Sequence, residues 1–421
     1  MPTPCALVLR NVSLPEGRVA DIGVREGMVV HVGAGEPADC TIDCTCLMVL
    51  PAAVDMHVHM RGGAQSAKED WGSGSRSALA GGVTVVVDQP NTIPPIASPD
   101  ALRARVFDAK DHSLCNFAIN SSVTFDTPVK AMWSAGALAF GETFYAPSSY
   151  GEAITKEELA AALRDIHACG ALATIHAEEI GPGEDPDIAA HDRIRSGAGE
   201  VRAIHDVGRC NAAGCRLHFC HMSTAASVSA AGALGSVEVT PHHLFLSREQ
   251  FRADDPLGKV NPPLRSEKER RDLWAAWDRI DIIASDHAPH TPVEKQVPFE
   301  EAPSGIPGVE TMVPLLLAAV LENKISLTDV IRKTSQAPAE LLGIPPAGFA
   351  PGSRADFALY PKIAAPIDPD TLHSRCGFSP FERLPAVFPR TVILGGDVVL
   401  DDGEFFPGSP TWFAGNGYLP R

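Results

Sequence analysis

Val54-Asp55-Met56-His57-Val58-His59-Met60-Arg61, preceded by the apolar run Leu47-Met48-Val49-Leu50 and followed by Gly62-Gly63, decides how the chain is read. Side chains alternate faces along an extended segment, so His57 and His59 point the same way. The apolar run before them and the glycine pair after them put both imidazoles at the carboxyl end of a buried strand. Two imidazoles converging there suit a first-row metal, for which His is the commonest ligand. Taken alone, the His-x-His spacing reads equally well as two ordinary histidines. The pattern gains weight because the chain repeats it: an apolar strand, then His or an acid at its tip.

Working outward, strands are expected at 47–56, 83–88, 115–124, 137–145, 171–176, 216–221, 236–240 and 280–285, with helices at 98–110, 156–168, 198–209, 223–232 and 309–322. Thr155 offers an N-cap to the second of these helices, with Glu157 and Glu158 in its first turn and Glu158 at the capping-box spacing. Eight β/α units in roughly 290 residues predict a (β/α)8 TIM barrel, with its chemistry at the carboxyl ends of the strands. No Gly-x-Gly-x-x-Gly follows the first strand, which removes the commonest dinucleotide site.

Residues 1–50 alternate short β-rich runs with turns, too little to close a core. Arg354-Ala-Asp-Phe-Ala-Leu-Tyr and Thr391-Val-Ile-Leu-Gly-Gly-Asp-Val-Val-Leu near the other end are also strand-like. Both termini are therefore expected to build one small β-sandwich, 1–50 and 346–421, around a catalytic barrel at 51–345.

Composition narrows the function. A formal charge of −17 speaks against nucleic acid or an anionic membrane as partner, both of which need a basic footprint. With 45% hydrophobic and 21% charged residues, the 421-residue chain has the balance of a globular enzyme. It contains no apolar run of transmembrane length and no basic-then-apolar leader. Its ten cysteines lack regular spacing, which suits reduced thiols in the cytoplasm. A small anionic substrate remains open, provided its site supplies local cations.

The strand tips carry His57, His59 and Arg61, then Asp88-Gln-Pro-Asn91, Glu142, His176-Ala-Glu, His221-Met-Ser, and Asp286-His287-Ala-Pro-His290. Four histidines and two carboxylates at five tips make a nitrogen and oxygen donor set that fits Zn²⁺, with Mn²⁺, Co²⁺ or Fe²⁺ as substitutes. A hydrolytic metal site lowers the pKa of water and polarises a carbonyl, and needs a carboxylate to carry the proton. Asp286 is the candidate. His31, His112, His167, His191, His205 and His373 read as peripheral. His218, three residues before His221, is expected on the opposite face. His242 and His243 follow strand seven near the mouth.

These residues resemble the amidohydrolase superfamily, and within it the dihydroorotases, over about residues 47–356. The likeness rests on Asp55-Met-His-Val-His-Met-Arg61, Gly81-Gly-Val-Thr-Val-Val-Val-Asp-Gln-Pro-Asn-Thr92, Val239-Thr-Pro-His-His-Leu244 and Val260-Asn-Pro-Pro-Leu-Arg265. Ser285-Asp-His-Ala-Pro-His290, Ala302-Pro-Ser-Gly-Ile-Pro-Gly-Val-Glu310 and Ser379-Pro-Phe381 extend it. The resemblance implies two zinc ions, one held by His57, His59 and Asp286, the other by His176 and His221. Arg61, Asn91 and His290 would grip a substrate carboxylate, with Asn261 near the ring. The implied reaction is the reversible cyclisation of N-carbamoyl-L-aspartate to (S)-dihydroorotate in pyrimidine biosynthesis. The expected assembly is a homo-oligomer, with aspartate transcarbamoylase as the partner enzyme to consider.

Two departures stand out. Many relatives bridge the metals with a carboxylated lysine from strand four, where this chain has Glu142. A glutamate brings the same two oxygens without carbon dioxide. After Arg61, Gly62-Gly63-Ala64-Gln65 replaces the usual Glu-Pro-Gly. The competing readings are another cyclic amidase (hydantoinase, dihydropyrimidinase or allantoinase) and a degenerate relative acting as a scaffold. Arg61 and Asn91 weigh against the first, and the retained ligands against the second.

Overall fold

The expected first strand divides. In the computed structural model, which describes residues 5–35, 37–124, 126–145 and 154–420, Leu47–Pro51 and Ala53–Val58 are separate strands on either side of Ala52. Numbered in chain order, they follow β1 (Cys5–Ser13), β2 (Val19–Arg25), β3 (Met28–Gly33) and β4 (Ala38–Asp43) as β5 and β6. The division arises because the two halves find different partners. Leu50 of β5 pairs antiparallel with Ala358 of a strand from the far end of the chain, while Val54 of β6 pairs parallel with Val85. A continuous apolar run cannot reveal that change of sheet.

The remaining barrel strands are β7 (Val83–Asp88), β8 (Asn116–Ile119), β9 (Phe140–Phe144), β10 (Leu172–His176), β11 (Arg216–Phe219), β12 (Ser236–Val239) and β13 (Ile282–Ile283). They form two parallel sheets in chain order, β6-β7-β8 and β9 to β13. Single bridges, Ser121 with Phe140 and Val58 with His287, cross the two seams where ladders are absent. The order is that of a (β/α)8 barrel, and parallel strands buried on both faces account for the unbroken apolar runs. Helices cover the outside. Lys156–Ala168 begins as expected, with Glu158 N–H donating to Thr155 Oγ1 (3.2 Å) and Thr155 N–H to Glu158 Oε2 (2.8 Å). It buries Leu159, Ala162, Leu163 and Ile166, the i, i+3, i+4, i+7 stripe of a helix lying on a sheet.

Both ends of the chain meet in a β-sandwich. One sheet is β3-β2-β1-β4; the other contains β5 with β14 (Phe357–Pro361), β17 (Thr391–Leu394), β18 (Asp397–Asp401) and β19 (Glu404–Phe405). Leu7, Leu9, Ile22, Val49, Phe357 and Ile393 fill the space between them. The second C-terminal run is a hairpin, not one strand. Gly395 and Gly396 have φ of 57° and 86°, which a two-residue hairpin turn requires at both positions. Between Pro361 and β17 the chain leaves the sandwich. The short pair β15 (Ala365–Pro366) and β16 (Pro385–Ala386) packs Ile367, Phe381 and Ala386 against Ile306 and Leu315. Residues 1–4 and 421, at the ends of the two expected sandwich segments, lie outside the described residues. Among the described residues no helix is long and apolar enough to cross a membrane.

Candidate metal centre and substrate cavity

At the carboxyl ends of the barrel strands a cavity of about 450 Å³ opens, lined by His59, Glu142, His176, His221 and Asp286. The strand pattern explains the convergence. His57 lies on β6 with His59 just beyond it, Glu142 on β9 and His176 at the end of β10. His221 and Asp286 come two and three residues after their strands, where the chain turns. Arg61, His221 and Asp286 have left-handed backbones (φ 49°, 42° and 46°). For side chains other than glycine that conformation costs about 1–3 kcal/mol each and persists only when surroundings impose it. Here His221 N–H is held by Glu238 Oε1 at 3.0 Å, and Ser285 N–H by Asp55 Oδ1 at 3.0 Å. Gly141 precedes Glu142 with φ 124°, and a Cβ there would stand 2.1 Å from the Thr174 carbonyl oxygen. Only glycine lets β9 come close enough to β10 to present Glu142.

Glu142 is central. Its Oε1 lies 2.8 Å from His176 Nδ1 and 2.6 Å from His221 Nε2, and its Oε2 lies 3.4 Å from His57 Nε2. Asp286 Oδ1 is 3.1 Å from His59 Nε2 and 3.5 Å from His57 Nε2. Donors about 2.0–2.1 Å from a tetrahedral ion stand about 3.4 Å apart, so the separations of 3.1, 3.4 and 3.5 Å suit shared metal ligation, while the two shorter ones are hydrogen-bond contacts. His57, His59 and Asp286 form one such group, and His57, Glu142 and His221 another. The buried His57 Nε2 has no hydrogen-bond partner, which suits a metal-ligand atom. The residues present fit a divalent metal.

Three of the four imidazoles are held from behind, which fixes the nitrogen they turn inward. His57 Nδ1 donates to Glu238 Oε1 (3.0 Å), His59 Nδ1 to Asn91 Oδ1 (2.5 Å), and His176 Nε2 to Glu178 Oε2 (3.2 Å). Burial opposes charge on His57, but Glu238, Glu142 and Asp286 outweigh it and raise its pKa well above the ordinary value. Burial likewise pushes Glu142 up, and His57, His176 and His221 hold it well below the usual carboxylate range. The centre is thus a pocket of negative potential that retains cations. A third group, His57, Cys220 and Glu238, is occupied differently. Glu238 already accepts from His57, His218 and His221, and burial, then Glu238, pushes the Cys220 thiol up to about 12.

The rest of the cavity is cationic. Arg61 is buried, and among the described residues no carboxylate stands within ion-pair distance of it; its Nε has no partner at all. Burial lowers its pKa to about 10, against the pull of Asp286, Asp88, Glu294 and Glu69, so it stays charged at neutral pH. Its terminal nitrogen is 3.5 Å from His290 Nε2, and Lys68 Nζ is 3.3 Å from His290 Nδ1. Burial, then Arg61, Lys68 and Lys295, drives the His290 pKa far down, leaving a neutral ring whose Nε2–H donates to the Ser304 carbonyl (3.1 Å). Asn91 and Asn261 also line the cavity.

The ten residues that the sequence assigned to metal or substrate all gather here, but three histidines were misplaced. His218 does not face away from the site: its Nε2 is 3.1 Å from Glu238 Oε2, so it props the carboxylate that holds His57. His191 is not peripheral; it is buried, with Nε2 2.9 Å from Asn261 Oδ1. His243 is buried away from the mouth on Thr240 Oγ1 and the Pro262 carbonyl. Glu238, Glu178, Lys68 and Arg195 were missed. Glu178 stood beside His176 at its strand tip without a role, and Glu238 left a trace as a lone acid inside the apolar strand Val237-Glu238-Val239.

Comparison with known proteins agrees with this geometry. The model of the amidohydrolase family matches residues 48–399. A dihydroorotase from Methanosarcina acetivorans is 37% identical over 93% of this chain and 92% of its own, and one from Halobacterium salinarum is 38% identical over 94% and 96%. Among solved structures, an L-hydantoinase (dihydropyrimidinase) from Arthrobacter aurescens superposes with a TM-score of 0.90 at 26% identity, covering 97% of this chain and 99% of that one. A D-hydantoinase from a Thermus species, at 22% identity and a TM-score of 0.86 over 97% and 98%, shares the fold. The chain belongs to the amidohydrolase family, whose members are metal-dependent.

Proposed function

We propose that this member of the amidohydrolase family is a dihydroorotase, opening (S)-dihydroorotate to N-carbamoyl-L-aspartate and closing it again. One observation carries the choice of substrate: Arg61 is buried in the cavity without a carboxylate partner. An unpaired buried charge is strongly disfavoured, and a planar guanidinium is matched by both oxygens of a carboxylate. Dihydroorotate brings that group; hydantoin and dihydrouracil do not. The names of the curated relatives support the same reading.

In this reading His57, His59 and Asp286 would hold one zinc ion and His176 and His221 another, with Glu142, where relatives carry a carboxylated lysine, supplying carboxylate oxygens to both. Such ions supply an activated water and polarise the scissile carbonyl. Arg61 and Asn91 seat the substrate carboxylate, with His290 set beside Arg61 as part of the same wall, and Asn261 meets the ring. Asp286, beside His59, takes the proton of the attacking water and returns it to the ring nitrogen that leaves. Ten free cysteines suit a cytoplasmic enzyme, and a homo-oligomer is the assembly we expect.

The test is the ratio of kcat/KM for dihydroorotate and dihydrouracil, in wild type and in Arg61→Met. Wild type should favour dihydroorotate, and Arg61→Met should lose about 10- to 100-fold of that preference with its metal retained. A wild type that prefers the uncarboxylated ring overturns the reading.

A further inference from the structure

His191, in the short helix Ile188–Ile194, makes contacts that neither the metal centre nor the carboxylate site uses. Its ring is 1% exposed. Nδ1 lies 2.9 Å from Asp185 Oδ2, while Nε2 lies 3.1 Å from the Val260 carbonyl oxygen and 2.9 Å from the Asn261 side chain. A backbone carbonyl can only accept, so Nε2 carries a hydrogen. The Asn261 atom facing it must then be the oxygen, which settles the orientation of that amide. Ser304 Oγ is 3.2 Å from the same oxygen and donates its hydroxyl there. Both lone pairs of Asn261 Oδ1 are thereby taken. The amide NH2 is the end left for the cavity that Asn261 lines. The Ser304 carbonyl meanwhile accepts from His290 Nε2, so one loop residue holds two members of the lining.

We propose that His191, held by Asp185, is a positioning residue that with Ser304 locks Asn261 as a hydrogen-bond donor toward a carbonyl oxygen of the substrate. The inference rests on the cyclic-amide reading above. A ring ureide has one carbonyl to be attacked and a second between its two nitrogens, and the second is the acceptor that a fixed NH2 selects. A free amide could rotate and offer its oxygen instead, leaving two acceptors facing each other. That carbonyl is not the one attacked, so the contact should weigh more on binding than on the chemical step.

The experiment is a double-mutant cycle between position 191 and position 261, reading KM, kcat and metal per subunit. His191→Phe should raise KM about 10-fold and leave kcat and metal content near wild type. His191→Gln, which keeps an N–H donor, should recover part of that loss. In an Asn261→Ala background His191→Phe should add nothing, because the residue it positions is gone. Ser304→Ala and Asp185→Asn should raise KM to a smaller extent, and they carry the same cycle if His191→Phe does not fold. The proposal is overturned by an unchanged KM in these variants, by lost metal, or by a His191→Phe effect that persists in full without Asn261. The cycle is run with whichever cyclic ureide wild type opens. Failure of the dihydroorotate assignment then appears in wild type, and failure of this inference only in the variants.

Discussion

The two sides of the cavity are built on opposite rules. On the metal side, His57, His59 and His176 each have a backing acceptor, and Glu142 lies in contact with three imidazoles. On the other side Arg61 and Arg195 each have a buried Nε with no partner, and burial beside cations leaves His290 neutral. One side has excess negative charge and is finished when it holds a cation; the other is finished when it holds an anion. The contrast teaches that a chain of charge −17 can bind an anionic substrate without a basic surface. What matters is the potential over a few ångströms of buried wall.

The comparison is broken most severely by removing a ligand from the metal side. His57→Ala should lose metal, measured by elemental analysis, and activity should fall to background, because His57 Nε2 faces both Glu142 and Asp286. Full occupancy with normal turnover would remove the metal assignment. Next in size is Asp286→Asn, which keeps the shape but accepts no proton. Its kcat should drop about 10²- to 10⁴-fold with substrate binding largely kept; near-normal turnover would rule out the proton-shuttle role. Glu238→Gln sharpens the comparison by altering a support and no proposed ligand: the carboxylate behind His57 that also holds the His221 backbone. Metal affinity should fall about 10- to 100-fold, read by competition with a chelator. The smallest expected effect is none: since Glu142 is already a carboxylate, bicarbonate during reconstitution should leave the recovered activity unchanged. A bicarbonate requirement would show that some other residue bridges the ions.

Much of the metal side was legible in the sequence, for a physical reason. Period-two alternation and a strand tip fix where His57 and His59 point, and the same signature recurs at His176, His221 and Asp286. The supporting residues obey no such local rule. His191 comes from a helix and meets Asn261 seventy positions later in the chain, which no periodicity encodes. His218 was misjudged because counting three residues back from His221 assumes a continuous strand, whereas β11 ends at Phe219 and His221 sits in a left-handed turn. Arg195 reaches Glu178 across a loop, and Lys68 sits just beyond the short turn Gly63–Gln65. The fold was read well where pattern is local. It was misread at 47–56, where sheet membership depends on residues 358 and 85.

That junction has a consequence for how the molecule comes apart. Only Ala52 separates β5 from β6, so no linker lies between sandwich and barrel at this point. Neighbouring side chains of β5 serve different interiors: Val49 packs in the sandwich, while Met48 and Leu50 pack with the barrel. Loosening either unit pulls on a strand that completes the other. Separate domains usually melt and are cut apart at exposed connections. Here the two share their boundary, so their unfolding should be coupled through it.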